Sequence, residues 1–310
     1  MALSCGVWPA LQKMPHLLHI IRSHLCSSLN RGWGDDTAQV TPKEFVEKMI
    51  EYAPSLNVVL GTCTGIESTD GEDGVKVVTG VKYKTAEEEE EKIMQADDVI
   101  VAAGPWACQA EMWFEGAVQL PMEGIKSTSI VWKPPAEGSV DATALFCGED
   151  DRFNTHLEVY PRPDGTVYIC GIGGSDYITT SELQASAFLS SCPPKTDRVE
   201  AASSAFTMMS NLYATKGELS KTQACMRPCP PDAVPYMGKV PGYHGAYINA
   251  GHNCWGIAWA PACGLAMAEL VLDGSCTSIN LKPFDPARYT TKGRGGRGRK
   301  KGAASVGEQW

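Results

Sequence analysis

An arginine set among prolines is the most suggestive chemical group in this sequence. Arg227 lies in residues 225–238, a stretch that contains four prolines. That proline density predicts a rigid loop, because proline fixes its own backbone angle and lacks an N–H donor. A guanidinium held by such a loop would be preorganised to bind a carboxylate through two hydrogen bonds. A structural ion pair is the alternative interpretation of this arginine.

A glycine-flanked turn is the second candidate. The pattern predicts a short strand at residues 246–249, a turn at 251–256 and a helix at 256–273, which Gly274 closes. Backbone N–H groups and the positive end of the helix would suit an anion or an electron-rich ring at this turn. A plain glycine-rich connection is the alternative.

Two further segments could present side chains to a ligand. Residues 97–104 predict a buried parallel strand that ends in small residues, as strands that approach a ligand often do. Residues 156–171 predict a β-hairpin with Leu157 and Val159 on one face, and with His156, Glu158 and Tyr160 on the other. The polar face either meets solvent or lines a cavity.

The elements that must position these groups begin after residue 40. Thr41 and Glu44 have the spacing of a capping box, with Pro42 at the first position of a helix that should end near Pro54. The remaining pattern predicts a buried strand at 56–60, a hairpin from 62–68 and 75–84, and a helix over 196–212.

Composition excludes several classes of protein. The chain has 310 residues, of which 43% are hydrophobic, so extensive disorder and collagen-like repeats are excluded. Twelve cysteines in 310 residues are too sparse for a disulfide scaffold, and the absence of a CxxC pair argues against a zinc ribbon or a thioredoxin-type site. We therefore expect reduced, mostly buried thiols in an intracellular protein. No membrane span is predicted, because the longest uncharged stretch, residues 245–268, is interrupted by Asn, Gly and Pro.

Charge is distributed unevenly along the chain. Six of the 27 basic residues lie in residues 292–301, so the rest carries a net charge of about −15, against −9 for the whole. An acidic body is a poor nucleic-acid surface. The basic tail contains a literal GxGxxG at Gly293, Gly295 and Gly298, but no strand precedes it, so it does not predict a dinucleotide site. Weak RNA binding and a solvated, disordered tail at 290–310 are the two interpretations that remain.

The N-terminal segment, residues 1–34, is atypical and predicted to be poorly ordered. His16, His19, His24 and Cys26 lie close together there, but their spacing fits no standard ligand set. No metal site is therefore predicted.

Several blocks together resemble a known family. These blocks are residues 38–42, 99–106, 160–168, 225–228 and 251–257. They resemble the FAD-dependent D-amino acid oxidase (DAO) superfamily, which includes glycine oxidase and monomeric sarcosine oxidase, and most of all a eukaryotic branch of oxidoreductase-like proteins. The resemblance covers residues 35–290. It implies an α/β (α+β mixed) fold.

The resemblance also implies a division into domains. A partial FAD-binding, Rossmann-like domain would comprise residues 35–106 and 222–289. A substrate domain built on a mixed or antiparallel β-sheet, residues 107–221, would be interleaved with it.

The resemblance also assigns roles to individual residues. Arg227 matches the arginine that holds the substrate carboxylate, Glu158 falls at a substrate-facing position, and Cys225 falls where monomeric sarcosine oxidase bonds its flavin covalently. The positions that would contact FAD are Cys63, near the adenine, then Ala103, Gly104 and Trp106, and finally Gly251, His252, Asn253, Cys254, Trp255, Gly256 and Ile257, beside the pyrimidine end of the flavin.

The implied reaction is oxidation of an amine or amino acid by hydride transfer to FAD, with oxygen as the final acceptor. The family begins with a strand and a GxGxxG turn that hold the FAD pyrophosphate, and residues 1–34 lack that spacing. We therefore expect an incomplete representative of the family, in the cytoplasm and with an association with endosomes suggested by the resemblance. The alternatives are a non-catalytic relative that serves as a binding or endosomal-trafficking module, and an RNA-associated protein.

Overall fold

Three β-sheets and several short helices make up the fold in the computed structural model, which describes residues 39–88, 90–134, 143–185 and 192–290. The predicted mixed α/β class is confirmed. The helices are α1 Pro42–Glu51, α2 Ala110–Trp113, α3 Thr180–Gln184, α4 Thr196–Met209, α5 Asn211–Lys216 and α6 Gly256–Leu272. The strands are β1 Thr62–Asp70, β2 Lys76–Lys84, β3 Lys92–Gln95, β4 Val99–Val101, β5 Glu123–Lys133, β6 Leu145–Phe146, β7 Glu158–Pro161, β8 Val167–Cys170, β9 Asp176–Ile178, β10 Glu218–Cys229, β11 Tyr236–Lys239, β12 Tyr243–His244 and β13 Ala246–Ala250.

Some predictions fall outside the described residues. These are the atypical N-terminus at 1–34 with its histidine cluster, and the basic tail from residue 291 onwards with its RNA-binding interpretation. The division into domains stays a prediction.

The first described helix, α1, forms largely as its sequence indicates. Pro42 occupies the first turn, where its missing N–H costs nothing. The predicted capping box is wrong, because the Thr41 side chain makes no capping hydrogen bond. The buried strand predicted at 56–60 is also wrong: these residues are exposed, Leu60 to 84%, and form no strand. Apolar composition suits a buried strand, but a strand also needs a hydrogen-bonding neighbour, and no described strand lies beside this segment.

The first sheet is built on a hairpin, which confirms the pairing predicted for residues 62–84. β1 and β2 run antiparallel. Asp73 and Gly74, at φ values of 56° and 73°, lie between them in the left-handed region that reverses the chain. β3 extends this sheet antiparallel to β2, and β12 joins β2 in parallel.

The second sheet supplies a shared edge for the two predicted turns. β13 lies between β4, to which it is parallel, and β11, to which it is antiparallel. Val99 and Val101 are buried on β4, whereas Ile100 is exposed. Because β4 and β13 are parallel, their carboxyl ends meet at one edge.

Helix α6 packs against this second sheet. Its buried residues Cys263, Ala266 and Met267 lie with Met237 of β11 and Tyr247 of β13 in one apolar cluster. By length and hydropathy alone, the segment Asn253–Leu272 could cross a membrane. One such helix is weak evidence, since a core helix passes the same test, and we interpret α6 as part of the fold.

The third sheet has the strand order β10–β5–β8–β7–β6, with β9 also paired to β5. The prediction of a loop around Arg227 is wrong for residues 225–229, which belong to strand β10. β10 continues through Arg227 and Pro228, which pair with Ile125 and Gly124 of β5. Proline is tolerated here because β10 is an edge strand, where an N–H donor is dispensable.

One face of the third sheet is covered by α4. Leu157, Val159 and Ile169 are buried there against Ala202 and Phe206 of the helix. The predicted alternation is confirmed, because Leu157 and Val159 share this buried face while Glu158 lies on the other.

The described cysteines are all free thiols. The expectation that they are mostly buried is wrong, since only Cys108, Cys229 and Cys263 are buried among them, and Cys225 and Cys254 are exposed.

Glu269 secures the end of α6 and carries a testable pH dependence. Its Oε2 accepts hydrogen bonds from the backbone N–H groups of Thr277 (2.8 Å) and Ser278 (2.9 Å). The hydroxyl and backbone N–H of Ser278 lower the pKa of Glu269 from 4.5 to about 2. A carboxyl whose pKa is lowered by folding stabilises the fold above its ordinary pKa, and that contribution is lost as the pH falls towards the lowered value.

We expect Glu269→Gln to lower the urea midpoint of unfolding at pH 7. The difference in urea midpoint between the wild type and the variant should become smaller as the pH falls from 4.5 to 2. Urea titrations across this range measure it. Glu87→Gln, in the exposed loop after β2, is the control and should leave the midpoint unchanged. A difference in urea midpoint that stays constant from pH 4.5 to pH 2 would contradict a stabilising role for the Glu269 carboxylate.

Candidate functional site

The first part of the site is the turn that follows β4. Val101, at the end of β4, is paired with Ile248 of β13. After Ala103 the chain enters a 3₁₀ helix, Gly104–Gln109. Gly104 has a φ of 55°, and a Cβ placed there would meet no heavy atom within 4 Å. The turn therefore has both the left-handed conformation that favours glycine and open space for a ligand.

The second part is the turn that follows β13. Gly251 has a φ of 84°, and Asn253, at 51°, opens the 3₁₀ helix Asn253–Trp255, which leads into Gly256 at the start of α6. The Trp255 ring stacks on that of Trp259, with centroids 5.8 Å apart. Both turns lie at the carboxyl ends of adjacent parallel strands, the place where open α/β sheets bind ligands.

Four of the nine buried side-chain polar atoms that lack a hydrogen-bond partner in the described part of the chain lie around these two turns. Trp106 Nε1, Asn249 Oδ1, His252 Nε2 and Asn253 Oδ1 have no hydrogen-bond partner in the described part of the chain. Burial also lowers the pKa of His252, which favours the neutral form of its ring. Because an unsatisfied buried polar group costs about 1–3 kcal/mol, these atoms favour a ligand that supplies the missing partners.

The third part is the face of the third sheet that points away from α4. The registers place Cys225 opposite Ser127, Tyr168 opposite Tyr160, and Cys170 opposite Glu158. Directly paired residues point to the same side of a sheet. This face therefore carries thiol, phenol, hydroxyl and carboxylate groups, whereas the opposite face is apolar.

Glu158 is held in place on this polar face by its neighbours. Tyr160 Oη donates a hydrogen bond to Glu158 Oε2 at 2.5 Å, and Cys170 Sγ donates to the same oxygen at 3.6 Å. Burial, together with this carboxylate, raises the pKa of Tyr160, and raises that of Cys170 to about 12. Both neighbours therefore remain protonated donors at neutral pH and keep Glu158 in one orientation.

Arg227 is half-buried and lies on β10 rather than on a loop. Within the residues that the structure describes, its guanidinium makes no hydrogen bond or ion pair. Its positive charge acts on Cys225 and Cys229, where it lowers the pKa of each thiol against the raising effect of burial. A guanidinium held by a strand and lacking a carboxylate partner is suited to bind a carboxylate from outside.

The structure brings most of the predicted positions together. β10 contacts both Gly104–Gln109 and Asn253–Trp255. Cys254 also acts electrostatically on Cys229 of β10. The predicted residues of the two turns therefore adjoin the strand that carries Cys225 and Arg227. Ile257 is exposed in the first turn of α6.

Two predicted residues lie further away. Cys63 is on β1 in the first sheet, where its Sγ donates to Gly65 O at 3.7 Å. No described hydrogen bond or electrostatic contact joins it to the two turns. Glu158 is three strands from β10, and the registers put its Cα on the order of 20 Å from that of Arg227. A molecule as small as glycine cannot contact both charged groups at once.

The site also contains residues that were not predicted from the sequence. Tyr168 and Cys170 belong to it because they face Tyr160 and Glu158 across the β7–β8 hairpin. Strand alternation within the predicted hairpin could have found them. Asn249, a polar residue in an apolar strand, was also a readable signal.

Comparison with known proteins gives a family match. Residues 15–270 match the family described as FAD dependent oxidoreductase, DAO. The oxidoreductase-like protein TDA3 of Saccharomyces cerevisiae is 27% identical over 317 residues, covering 89% of this chain and 56% of that protein. A glycine oxidase of Pseudomonas aeruginosa is 29% identical over 217 residues, covering 69% of this chain and 50% of the enzyme.

A solved structure shows the same fold. The crystal structure of glycine oxidase from Geobacillus kaustophilus matches with a TM-score of 0.61 at 18% sequence identity, over 81% of this chain and 59% of that one. At this identity the match concerns the fold alone. The chain spans about half the length of the two relatives named above.

Proposed function

This chain belongs to the DAO family of FAD-dependent oxidoreductases, and from that membership we propose that it binds FAD where β4 and β13 end and oxidises an amine or amino acid. The observation that carries the proposal is the set of unpartnered buried atoms at the two turns. They lie where strand topology favours a ligand, next to Arg227, whose guanidinium has no partner among the described residues.

The residues present fit part of an FAD molecule. Gly104 offers open space for a close approach, and Trp106 Nε1 offers a free donor. In the second turn, His252 Nε2 and Asn253 Oδ1 are free to bond a ring that carries both donors and acceptors. When bound, FAD would supply the hydride acceptor. The described residues contain no GxGxxG turn to hold the pyrophosphate.

The role of the protein's own residues is to bind and orient the substrate. Arg227 would bind a carboxylate beside the two turns. Glu158, which Tyr160 and Cys170 orient, would attract the cationic end of an extended substrate. A substrate as small as glycine would meet Arg227 but not Glu158. A long amino acid that carries a second positive charge is therefore the substrate class that uses both groups.

The remaining assignments stay predictions. They are the position of Cys63 near the adenine, a covalent link at Cys225, oxygen as acceptor, and a cytoplasmic location with an association with endosomes. Although Cys225 is an exposed residue, desolvation of its thiol by the surrounding protein raises the pKa of Cys225, which keeps the thiol protonated and lowers its reactivity.

A visible spectrum of the purified 310-residue chain tests the proposal. After incubation with FAD and gel filtration, we expect flavin absorbance to remain with the protein. Gly104→Val should reduce the retained flavin, because it fills the open space at the first turn. Gly264→Ala, in α6, where a Cβ also meets nothing within 4 Å, is the matched control and should retain the wild-type amount.

Two outcomes separate the alternatives. A wild-type chain that stays colourless after incubation with FAD would contradict flavin binding by this chain. A chain that retains flavin, but whose flavin no amine or amino acid reduces under anaerobic conditions, would support the non-catalytic binding or trafficking module instead.

A further inference from the structure

A cavity of about 510 Å³ lies on the opposite side of the third sheet from Glu158 and Arg227. Its lining comes from the loop that follows β6, from the segment that leads into β7, and from α4; the residues are Cys147, Gly148, Glu149, Asp150, Asp151, Arg152, Thr155, Leu157, Ala205 and Met209. Leu157 points to the face that α4 covers, whereas Glu158 points to the other. The cavity is therefore separate from the proposed substrate site.

A buried hydroxyl without a hydrogen-bond partner in the described part of the chain belongs to a residue that lines this cavity. Thr155 lines it, is only 3% exposed, and its Oγ1 has no hydrogen-bond partner in the described part of the chain. The backbone of Thr155 is already paired with that of Asp150, whose N–H donates to Thr155 O at 2.7 Å. Only the side chain is left unsatisfied, and a hydroxyl can both donate and accept. A ligand with a polar group would satisfy it.

The charges on the cavity lining are predominantly negative. Arg152 binds Asp150 through Nε and Nη2, at 2.9 and 2.7 Å, so these two charges neutralise each other. The exposed carboxylates Glu149 and Asp151 have no ion pair within the described ranges. The lining therefore carries an excess of two negative charges, which attracts a cation.

The remaining lining is apolar. Leu157 forms part of one wall, and Ala205 and Met209 of α4 form another. Among the described residues no group of three His, Cys, Asp or Glu side chains is placed to hold a metal ion. An organic cation with a hydrocarbon part matches both the charge and the walls.

We propose that this cavity binds a small organic cation of the alkylammonium class. An ammonium N–H donates to Thr155 Oγ1, the carboxylates of Glu149 and Asp151 supply the electrostatic attraction, and the hydrocarbon chain packs against Leu157 and the α4 residues. The site does not depend on flavin, so it can be tested whether or not the proposed function holds.

Calorimetric titration of the full chain without FAD tests the site, with butylammonium and hexylammonium chloride as probes. We expect saturable binding that is tighter for hexylammonium, because each buried methylene adds apolar contact. Neutral 1-hexanol and anionic hexanoate should bind more weakly. Added salt should weaken hexylammonium binding, because it screens the exposed carboxylates. No saturable binding, or equal affinity for hexylammonium and 1-hexanol, would overturn the proposal.

Two variants place the probe in the cavity. Thr155→Val removes the hydroxyl at constant shape, so the thermal midpoint should stay or rise, while hexylammonium affinity should fall by about 3- to 10-fold. The double variant Glu149→Gln with Asp151→Asn, in an exposed loop, should weaken binding by about 2- to 5-fold and reduce its salt dependence.

Matched controls separate this cavity from the other face of the sheet. Thr222→Val, at an exposed position on β10, and Glu87→Gln should leave hexylammonium affinity unchanged. Glu158→Gln reports on the polar face. A loss of affinity in Glu158→Gln, with none in the Thr155 and double variants, would place the probe in the substrate site and refute the cavity as its binding site.

Discussion

Replacing Arg227 with methionine is expected to weaken binding of a carboxylate-bearing substrate by roughly 30- to 150-fold, equivalent to about 2–3 kcal/mol. The guanidinium is half-buried on β10 and has no carboxylate partner within the described residues. Methionine keeps much of the apolar length of the side chain but removes every donor. The loss should therefore fall on the carboxylate and not on the fold.

Glycine and methylamine form the probe pair that isolates this effect, because they differ only by the carboxylate. In titrations of the chain incubated with FAD, the wild type should prefer glycine and Arg227→Met should bind the two alike. Arg227→Lys should recover part of the preference, since it keeps the charge but loses the two-pronged geometry. Lys221→Met, at an exposed position on the same strand, should change nothing. Release of flavin by Arg227→Met, or a persistent preference for glycine, would refute the assignment.

The sequence was most informative where a local pattern decides the structure. The β7–β8 hairpin, the β1–β2 hairpin and helix α6 were predicted because alternation, turn residues and a terminal glycine all lie within short segments. The same patterns placed Leu157 and Val159 on one face of the hairpin, opposite Glu158.

Predictions were wrong where the outcome depends on a distant partner. β10 continues through Pro228 because β5 lies beside it and leaves an edge on which proline is allowed. Nothing within residues 225–238 encodes that neighbour. The prediction of a buried strand at 56–60 was wrong for the opposite reason. The apolar sequence suggested burial, but no described strand lies beside the segment to cover it.

The candidate site also has features that the sequence predicts and features that depend on distant partners. The chemical types of Arg227 and Glu158 were readable from the sequence, but their separation across four strands follows only from the registers. The unpartnered atoms of Trp106 and His252 are likewise a property of packing, because whether a buried atom finds a partner depends on its three-dimensional neighbours.

Replacing Gly251 with alanine is expected to destabilise the chain strongly. The variant tests the turn after β13, on which the proposal of flavin binding rests. A Cβ at this position would lie 2.7 Å from Cγ and 3.2 Å from Cδ of Pro230, a buried ring that cannot rotate away. The backbone φ of 84° adds the strain that an L side chain meets in the left-handed region. We expect Gly251→Ala to lower the free energy of unfolding by about 2–4 kcal/mol, as strain and overpacking add.

Two other glycines separate these causes in urea titrations. Gly104→Ala meets no neighbour within 4 Å but keeps a positive φ, so it should cost only about 1–2 kcal/mol, the strain alone. Gly264→Ala, in the interior of α6 with open space around it, should be neutral or stabilise the chain by up to about 1 kcal/mol. The order Gly251, Gly104, Gly264 is therefore fixed by geometry. A Gly251→Ala variant as stable as the wild type would mean that the second turn is not held against Pro230, and the positions of His252 and Asn253 would then no longer support a flavin at this edge.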